Sequence, residues 1–271
     1  MHLFAYAAAA VLYAAASFRY ALRFARARSS TTMAVTVLVI AAVIVHAWAV
    51  AMYWTRYNEP PLVGLGPSLA SLSLLIGLAV AGLAAFSAAR SIGLFLAPIA
   101  ALVLILALII GIRPMGSELA FRGPWLVFHV AASFLGYTGW VVAAAAASMY
   151  LLQFRELKHK QLGAVFSFFP ALETLDRLSE WALAAGFVAL SLGLAVGWAW
   201  TIRFEGRLRW GDPKVEWGVA AWVVLATALA ARLSGVSTSR RAAIWNVTGF
   251  LVVSVAYLVA RVMVTDTGFF L

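Results

Sequence analysis

The segment that decides the fold is Gly123-Pro-Trp-Leu-Val-Phe-His-Val-Ala-Ala-Ser-Phe-Leu-Gly-Tyr-Thr-Gly-Trp140. Its early proline suits the first turn of a helix. The apolar run that follows is long enough to span a bilayer, which takes roughly 20 residues. His129 lies about one turn inside this run. Because an ionisable side chain at membrane depth is costly, such a residue usually marks a functional site. The segment therefore predicts a membrane-spanning helix that carries a functional histidine near one end.

The composition is that of an integral membrane protein. Of the 271 residues, 65% are hydrophobic and only 11% are charged, whereas soluble domains average about 25% charged. The chain has no cysteine, which excludes disulfides, thiolate metal sites and covalent haem attachment through C-x-x-C-H. The formal net charge is +10, but the basic residues cluster in short loops between apolar runs. This pattern indicates membrane orientation and anionic lipid rather than nucleic acid.

Apolar runs of spanning length recur along the whole chain. They predict an all-α polytopic membrane helix bundle of about eight transmembrane helices, forming a single membrane domain over residues 1–271. The first run lacks the flanking features of a cleaved signal peptide and is interpreted as a retained span. The predicted spans are about 3–18, 33–54, 68–89, 92–112, 125–152, 181–202, 217–232 and 243–264.

The loops carry more Lys and Arg on one side of this bundle than on the other. Since cytoplasmic loops are enriched in these residues, the bias predicts that both termini lie outside, in the periplasm or its equivalent. One inner segment, about 170–179, has leucines every three residues, with Glu173 early and Arg177 late. This pattern predicts an amphipathic helix lying on the inner membrane face.

A second histidine, His46, lies inside the run 33–54, roughly 12 Å below Trp54 at 1.5 Å per residue. His129 lies roughly 6 Å below Trp125 by the same measure. Both imidazoles thus fall in the outer half of the membrane, so they are predicted to face each other and to hold a non-covalent haem b as axial ligands. Tyr137 lies at helical steps of four from His129 and is predicted to orient the ligand. The alternative for His46 is a hydrogen bond across helices.

The outer loop from Arg203 to Trp217 combines aromatic, basic and acidic residues. Aromatic faces cover a ring system and guanidinium groups pair with carboxylates, so the loop suits a flat, apolar, dianionic molecule. Tryptophan at a membrane interface is also common without any ligand, and that interpretation stays open. The candidate haem-binding residues of this loop are Arg203, Arg207, Arg209, Trp210, Lys214 and Trp217.

Several of these motifs resemble the cytochrome c assembly superfamily of CcsA/CcmC-type haem-handling proteins, especially its eight-span HemX-like and YpjD-like branch. The family's histidine-led span with a following Gly-Tyr resembles His129 with Gly136-Tyr137. Its inner segment resembles Pro170-Ala-Leu-Glu-Thr-Leu-Asp-Arg-Leu178. Its tryptophan-rich outer segment partly resembles Trp210-Gly-Asp-Pro-Lys-Val-Glu-Trp217. His46 is similar to the second-span histidine of the YpjD-like branch.

One departure from the family pattern limits what the resemblance implies. Haem-exporting members have a second outer histidine after the tryptophan-rich loop, whereas this chain reads Val264-Thr-Asp-Thr-Gly-Phe-Phe270 there. Either His46 is then the partner of His129, or a partner protein supplies the second ligand, or haem is not bound.

The resemblance implies a haem-binding protein of cytochrome c biogenesis in the bacterial cytoplasmic (inner) membrane. Its expected partners are the lipid bilayer, haem and other cytochrome c maturation proteins, with no nucleic acid. No catalytic motif is present, so an enzyme is not expected. The alternative is an accessory or regulatory HemX-like scaffold without haem transfer. A third possibility, a quinone-linked b-type redox enzyme, has only the two histidines in its favour.

Overall fold

The computed structural model describes residues 1–26, 33–86, 89–114, 123–160, 163–206, 213–234 and 238–264. Over these ranges the ordered elements are helices and no strand occurs. A short 3-10 helix, Arg90–Ile92, directly precedes α4. The α-helices are α1 (His2–Ala25), α2 (Met33–Tyr57), α3 (Leu65–Phe86), α4 (Gly93–Ile110), α5 (Pro124–Lys158), α6 (Ala164–Phe168), α7 (Leu172–Glu205), α8 (Pro213–Leu233) and α9 (Ser239–Val264).

Seven of these helices are long and apolar enough to cross a membrane, which confirms an all-α polytopic bundle. Large apolar side chains on them are exposed, including Phe4 at 82% and Ile109 at 76%. In a bilayer such side chains face lipid rather than water. The eighth predicted span, 243–264, falls within α9, which does not meet the same criterion over its described residues.

The predicted spans and the helices agree closely, and the differences have a simple cause. The spans were bounded by their apolar residues, whereas helices continue through charged residues that have good helix propensity. Thus α1 runs past Arg19 and Arg23 to Ala25, and α5 continues to Lys158.

The inner amphipathic helix predicted over about 170–179 is helical from Leu172 onward, but it is not a separate element. Residues from Leu172 onward form the first turns of α7, which continues without a break to Glu205. No proline interrupts this stretch, and its glycines weaken a helix by only about 1 kcal/mol each. An ion pair at helical spacing, Arg177 to Glu173 at 3.2 Å, supports the exposed first turns.

The chain, predicted to form a single domain, divides into two compact units. Unit 1 comprises Met1–Ser117 and Met149–Leu178, and unit 2 comprises Glu118–Ser148 and Ser179–Leu271. Helices α5 and α7 therefore contribute one part to each unit. In unit 1, α1 packs against α2 and α4, and α3 packs against the same two helices.

Unit 2 is organised around a glycine-lined contact between α5 and α7. A Cβ atom on Gly139 would overlap Gly186, and one on Gly136 would overlap Leu190, so the two backbones approach closely. As positions rise along α5 their partners fall along α7 in reverse order, so the helices are antiparallel. A hydrophobic cluster that includes Trp140 joins these helices to α8 and α9.

Candidate functional site

His129 is fixed by a hydrogen bond to the backbone of the neighbouring helix. Its Nδ1 lies 2.8 Å from the carbonyl oxygen of Gly193 in α7. A carbonyl oxygen can only accept, so Nδ1 must carry the proton and donate it. In the neutral ring the lone pair is then on Nε2. This is the arrangement usual for a metal-ligating histidine, whose other ring nitrogen donates to a carbonyl or carboxylate.

Small residues on α7 make this geometry possible. The His129 ring lies against Gly197, where an added Cβ would come within 2.7 Å of Nδ1. Gly193 lies one turn before Gly197 on α7, and Ser133 of α5 occupies the space that a side chain at Gly193 would need. The Ser133 hydroxyl donates to the carbonyl oxygen of His129 at 2.7 Å. The imidazole therefore has a defined position, and its side chain is partly exposed.

Two of the predicted loop residues lie at the same end of unit 2 as His129. Arg203 is exposed and lies six residues beyond Gly197 on α7, roughly 9 Å along the helix. Trp217, near the start of α8, is half-buried and packs against Tyr257 with ring centroids 5.7 Å apart. A cation and an aromatic ring thus lie at the same end of unit 2 as the imidazole.

Tyr137 lies two turns deeper than His129, roughly 12 Å along α5. It packs against the hydrophobic cluster that contains Trp140 and Leu190. Its contacts are those of a core residue of unit 2, and its predicted role in orienting a ligand stays a prediction.

The side chains of the other predicted loop residues are outside the described part of the structure. Arg207, Arg209 and Trp210 lie outside the described residues. Lys214 belongs to the first turn of α8, but its side chain is not described. Their part in ligand binding stays a prediction.

His46 has surroundings of a different kind, in unit 1. Its side chain is fully buried at 0% exposure. Its Nδ1 lies 3.4 Å from the hydroxyl of Tyr13 on α1, a long hydrogen bond. The rings of Tyr6 and Tyr13 contact the imidazole edge-to-face, with centroids 5.6 and 5.8 Å away. For Nε2 to meet iron, these neighbours would have to make room for a macrocycle.

This histidine belongs to a larger aromatic cluster that the sequence analysis missed. Toward the start of α1, the His2 ring lies 5.5 Å from Tyr57 and 5.9 Å from Tyr53, measured between centroids. The available signal was the seven-residue spacing of Tyr6, Tyr13 and Tyr20, which places them on one helix face. All three tyrosines are 0% exposed.

The two candidate ligands therefore lie in different units, and each takes its described neighbours from its own unit. The surroundings of His129 fit an axial ligand of haem iron, because the tautomer is set and the ring is partly exposed. The facing pair of His46 and His129 stays a prediction.

A family model described as "Cytochrome C assembly protein" matches residues 1–266. The chain belongs to the cytochrome c assembly protein family. Proteins named cytochrome c biogenesis protein CcsA are among its relatives. The one from Guillardia theta is 30% identical over 154 residues, covering 51% of each chain.

Two further relatives of the same name give a similar picture. The protein from Prochlorococcus marinus (strain MIT 9515) is 30% identical over 158 residues, covering 51% of each chain. That from Chlamydomonas reinhardtii is 30% identical over 139 residues, covering 51% of this chain and 38% of the relative. The chain thus spans about half the length of the curated relatives it matches, or less. The family resemblance deduced from the motifs is confirmed.

Proposed function

We propose that this member of the cytochrome c assembly family binds haem b for cytochrome c biogenesis. The haem would lie near the outer face of the cytoplasmic membrane, with His129 as an axial ligand. The observation that carries the proposal is the 2.8 Å hydrogen bond from Nδ1 to the Gly193 carbonyl oxygen. This bond orients the ring, selects the tautomer and raises the basicity of Nε2. The relatives that bear the name cytochrome c biogenesis protein support the same assignment.

The residues around His129 divide the remaining work of binding. The exposed guanidinium of Arg203 would pair with a propionate, with Arg207, Arg209 and Lys214 as further partners from the same loop. Trp217, with Trp210, would cover an apolar ring edge, and Tyr137 would support the helix face below the ligand. Haem, when bound, would supply the iron that Nε2 meets and the anionic groups that these cations pair with.

His46 is the proposed second ligand, and a partner protein is the alternative source. Two imidazoles would fill both axial positions, which favours holding or handing on haem over oxygen chemistry. In that case His46 would bind iron through Nε2, and its Nδ1 would keep the contact with the Tyr13 hydroxyl.

The setting we propose is the bacterial cytoplasmic membrane, with both termini outside. The bias of Lys and Arg among the loops supports this orientation. Other cytochrome c maturation proteins are the proposed partners, and the role is that of a carrier rather than an enzyme.

A second candidate function is a regulatory, HemX-like scaffold that does not transfer haem. Two observations favour it. The sequence has no histidine after the tryptophan-rich loop, and His46, the second candidate ligand, is enclosed by tyrosines. Such a protein would purify without haem even from its native complexes.

The absorbance spectrum of the purified protein tests the proposal. We expect a Soret band in the wild type that is lost or strongly reduced in His129→Ala. The matched control is His159→Ala. His159 directly follows the end of α5 at Lys158 and lies outside the proposed site. A wild-type Soret band that is unchanged in His129→Ala would contradict the ligand assignment.

A further inference from the structure

A pocket of about 270 Å³ lies in unit 1, where α1 ends and α2 begins. Its lining combines two kinds of side chain from the two helices. The basic ones are Arg19, Arg23 and Arg26 of α1, and the apolar ones include Leu22, Val35 and Leu38. At this volume, the pocket is just below the range of small-ligand sites, which is roughly 300–1,000 Å³. It is large enough for a phosphate-containing headgroup but not for a macrocycle.

The arginines share one side of α1. Positions 19, 23 and 26 are four and three residues apart, so they lie on one helix face. The adjacent face carries Phe24, whose ring packs against Phe168 and Phe169 with centroids 5.5 and 6.0 Å away. Helix α6 therefore covers the Phe24 side of α1, and the arginine side faces the pocket.

The lining of the pocket is basic, since three of its residues are arginines and none is acidic. No Asp or Glu occurs in the sequence before Glu59, which lies just beyond the far end of α2. Arg19 and Arg26 are exposed, and neither has an ion pair within the described part of the chain. These arginines favour an anion as the ligand of this pocket.

The position of the pocket along the helices indicates that the anion carries an apolar part. The apolar run of α1 ends at Phe18, and Arg19 follows it directly. Val35 and Leu38 lie in the first two turns of α2, where its apolar run begins. The pocket thus spans the level at which a bilayer changes from headgroups to acyl chains. Basic pockets between transmembrane helices at this level suit anionic lipid headgroups.

We propose that this arginine pocket is a binding site for an anionic phospholipid. The phosphate lies between Arg19 and Arg26, and the upper part of an acyl chain packs on Leu22, Val35 and Leu38. The site is in unit 1 and does not depend on haem binding at His129. Each basic side chain near an anionic membrane surface strengthens binding roughly fivefold, and two together do so on the order of 30-fold.

Native mass spectrometry of the full chain with added lipid tests the proposal. We expect bound phosphatidylglycerol but little bound phosphatidylcholine on the wild type. The Arg19→Gln/Arg26→Gln variant should lose phosphatidylglycerol affinity on the order of 30-fold. The matched control, Arg240→Gln/Arg241→Gln, removes the same charge at the start of α9 and should bind as the wild type does.

Three results would overturn the proposal. Equal binding of phosphatidylcholine and phosphatidylglycerol to the wild type would do so without any variant. Unchanged affinity in Arg19→Gln/Arg26→Gln would place the lipid elsewhere. Competition by millimolar inorganic phosphate that removes all bound lipid would show a site for small anions instead. The Arg19→Lys/Arg26→Lys variant keeps the charge and should retain the lipid, which separates lost binding from lost folding.

Discussion

The two candidate histidines occur in similar apolar helices but have opposite surroundings. In unit 2, glycines at positions 193 and 197 of α7 let the His129 ring approach the backbone and donate to a carbonyl oxygen. In unit 1, tyrosines fill the space around His46, which meets a phenol hydroxyl and is fully buried.

This comparison shows that the neighbouring helix decides what a histidine in a membrane span can do. The backbone carbonyl of Gly193 fixes the tautomer of His129, whose side chain stays partly exposed. A set of tyrosine rings encloses the imidazole and makes it part of the packing between helices. The same residue type therefore has a partly exposed ring on a backbone carbonyl in one setting and a fully buried ring among tyrosines in the other, and substitutions at the contacting residues test this difference.

The largest effect is expected from Gly197→Ala. The added Cβ would lie 2.7 Å from His129 Nδ1 and displace the ring. Because loss of a supporting contact at a metal site typically costs 10–100-fold, we expect haem affinity to fall by about that factor. Haem titration followed at the Soret band measures it. The matched control is Gly82→Ala in α3, which has nothing within 4 Å of the new Cβ and should bind haem as the wild type does. Equal affinity in both variants would show that the ring position does not matter.

The corresponding change in unit 1 is Gly77→Ala. A Cβ at this position of α3 would overlap the Tyr13 hydroxyl, which contacts His46. Overpacking of this kind typically costs about 1–3 kcal/mol, so we expect a lower thermal midpoint in detergent. Gly82→Ala is again the control and should not lower the midpoint. If the comparison of the two histidines holds, the geometry at His129 is unaffected. A loss of haem affinity as large as that of Gly197→Ala would show that the surroundings of His46 also affect haem binding.

The smallest effect is expected from Tyr13→Phe. It removes the hydroxyl next to His46 Nδ1 and leaves the ring contact at 5.8 Å in place. Hydrogen bonds between membrane helices contribute about 0.6 kcal/mol on average, so the free energy of unfolding should fall by about that amount. Unfolding in a denaturing detergent measures the change, and Tyr57→Phe serves as a control outside the His46 contact. A stability loss of several kcal/mol would show that the hydroxyl belongs to a larger network.

The positions of the helices were readable from the sequence because hydrophobicity is a local property. Apolar runs located the membrane helices to within a few residues over most of the chain. The segment from Leu172 was the exception, since its amphipathic pattern masked the continuous helix that joins it to the following span.

The surroundings of the histidines could not be predicted, because they depend on which helices touch. The Nδ1 atom of His129 meets a carbonyl 64 positions away, and His46 meets a tyrosine 33 positions away. A single sequence gives depth from residue spacing, but it does not give the rotation of one helix against another. Depth alone suggested that the two imidazoles were equivalent.

Chemical rescue of His129→Gly by free imidazole tests whether His129 is the haem ligand. This variant removes the side chain and leaves a gap beside Gly193 and Gly197. We expect that haem binding is lost, and that adding imidazole at millimolar concentration restores the Soret band. The same addition to His46→Gly serves as the comparison. A His129→Gly protein with the wild-type spectrum, or one that folds and takes up no haem with imidazole present, would rule out His129 as the haem ligand.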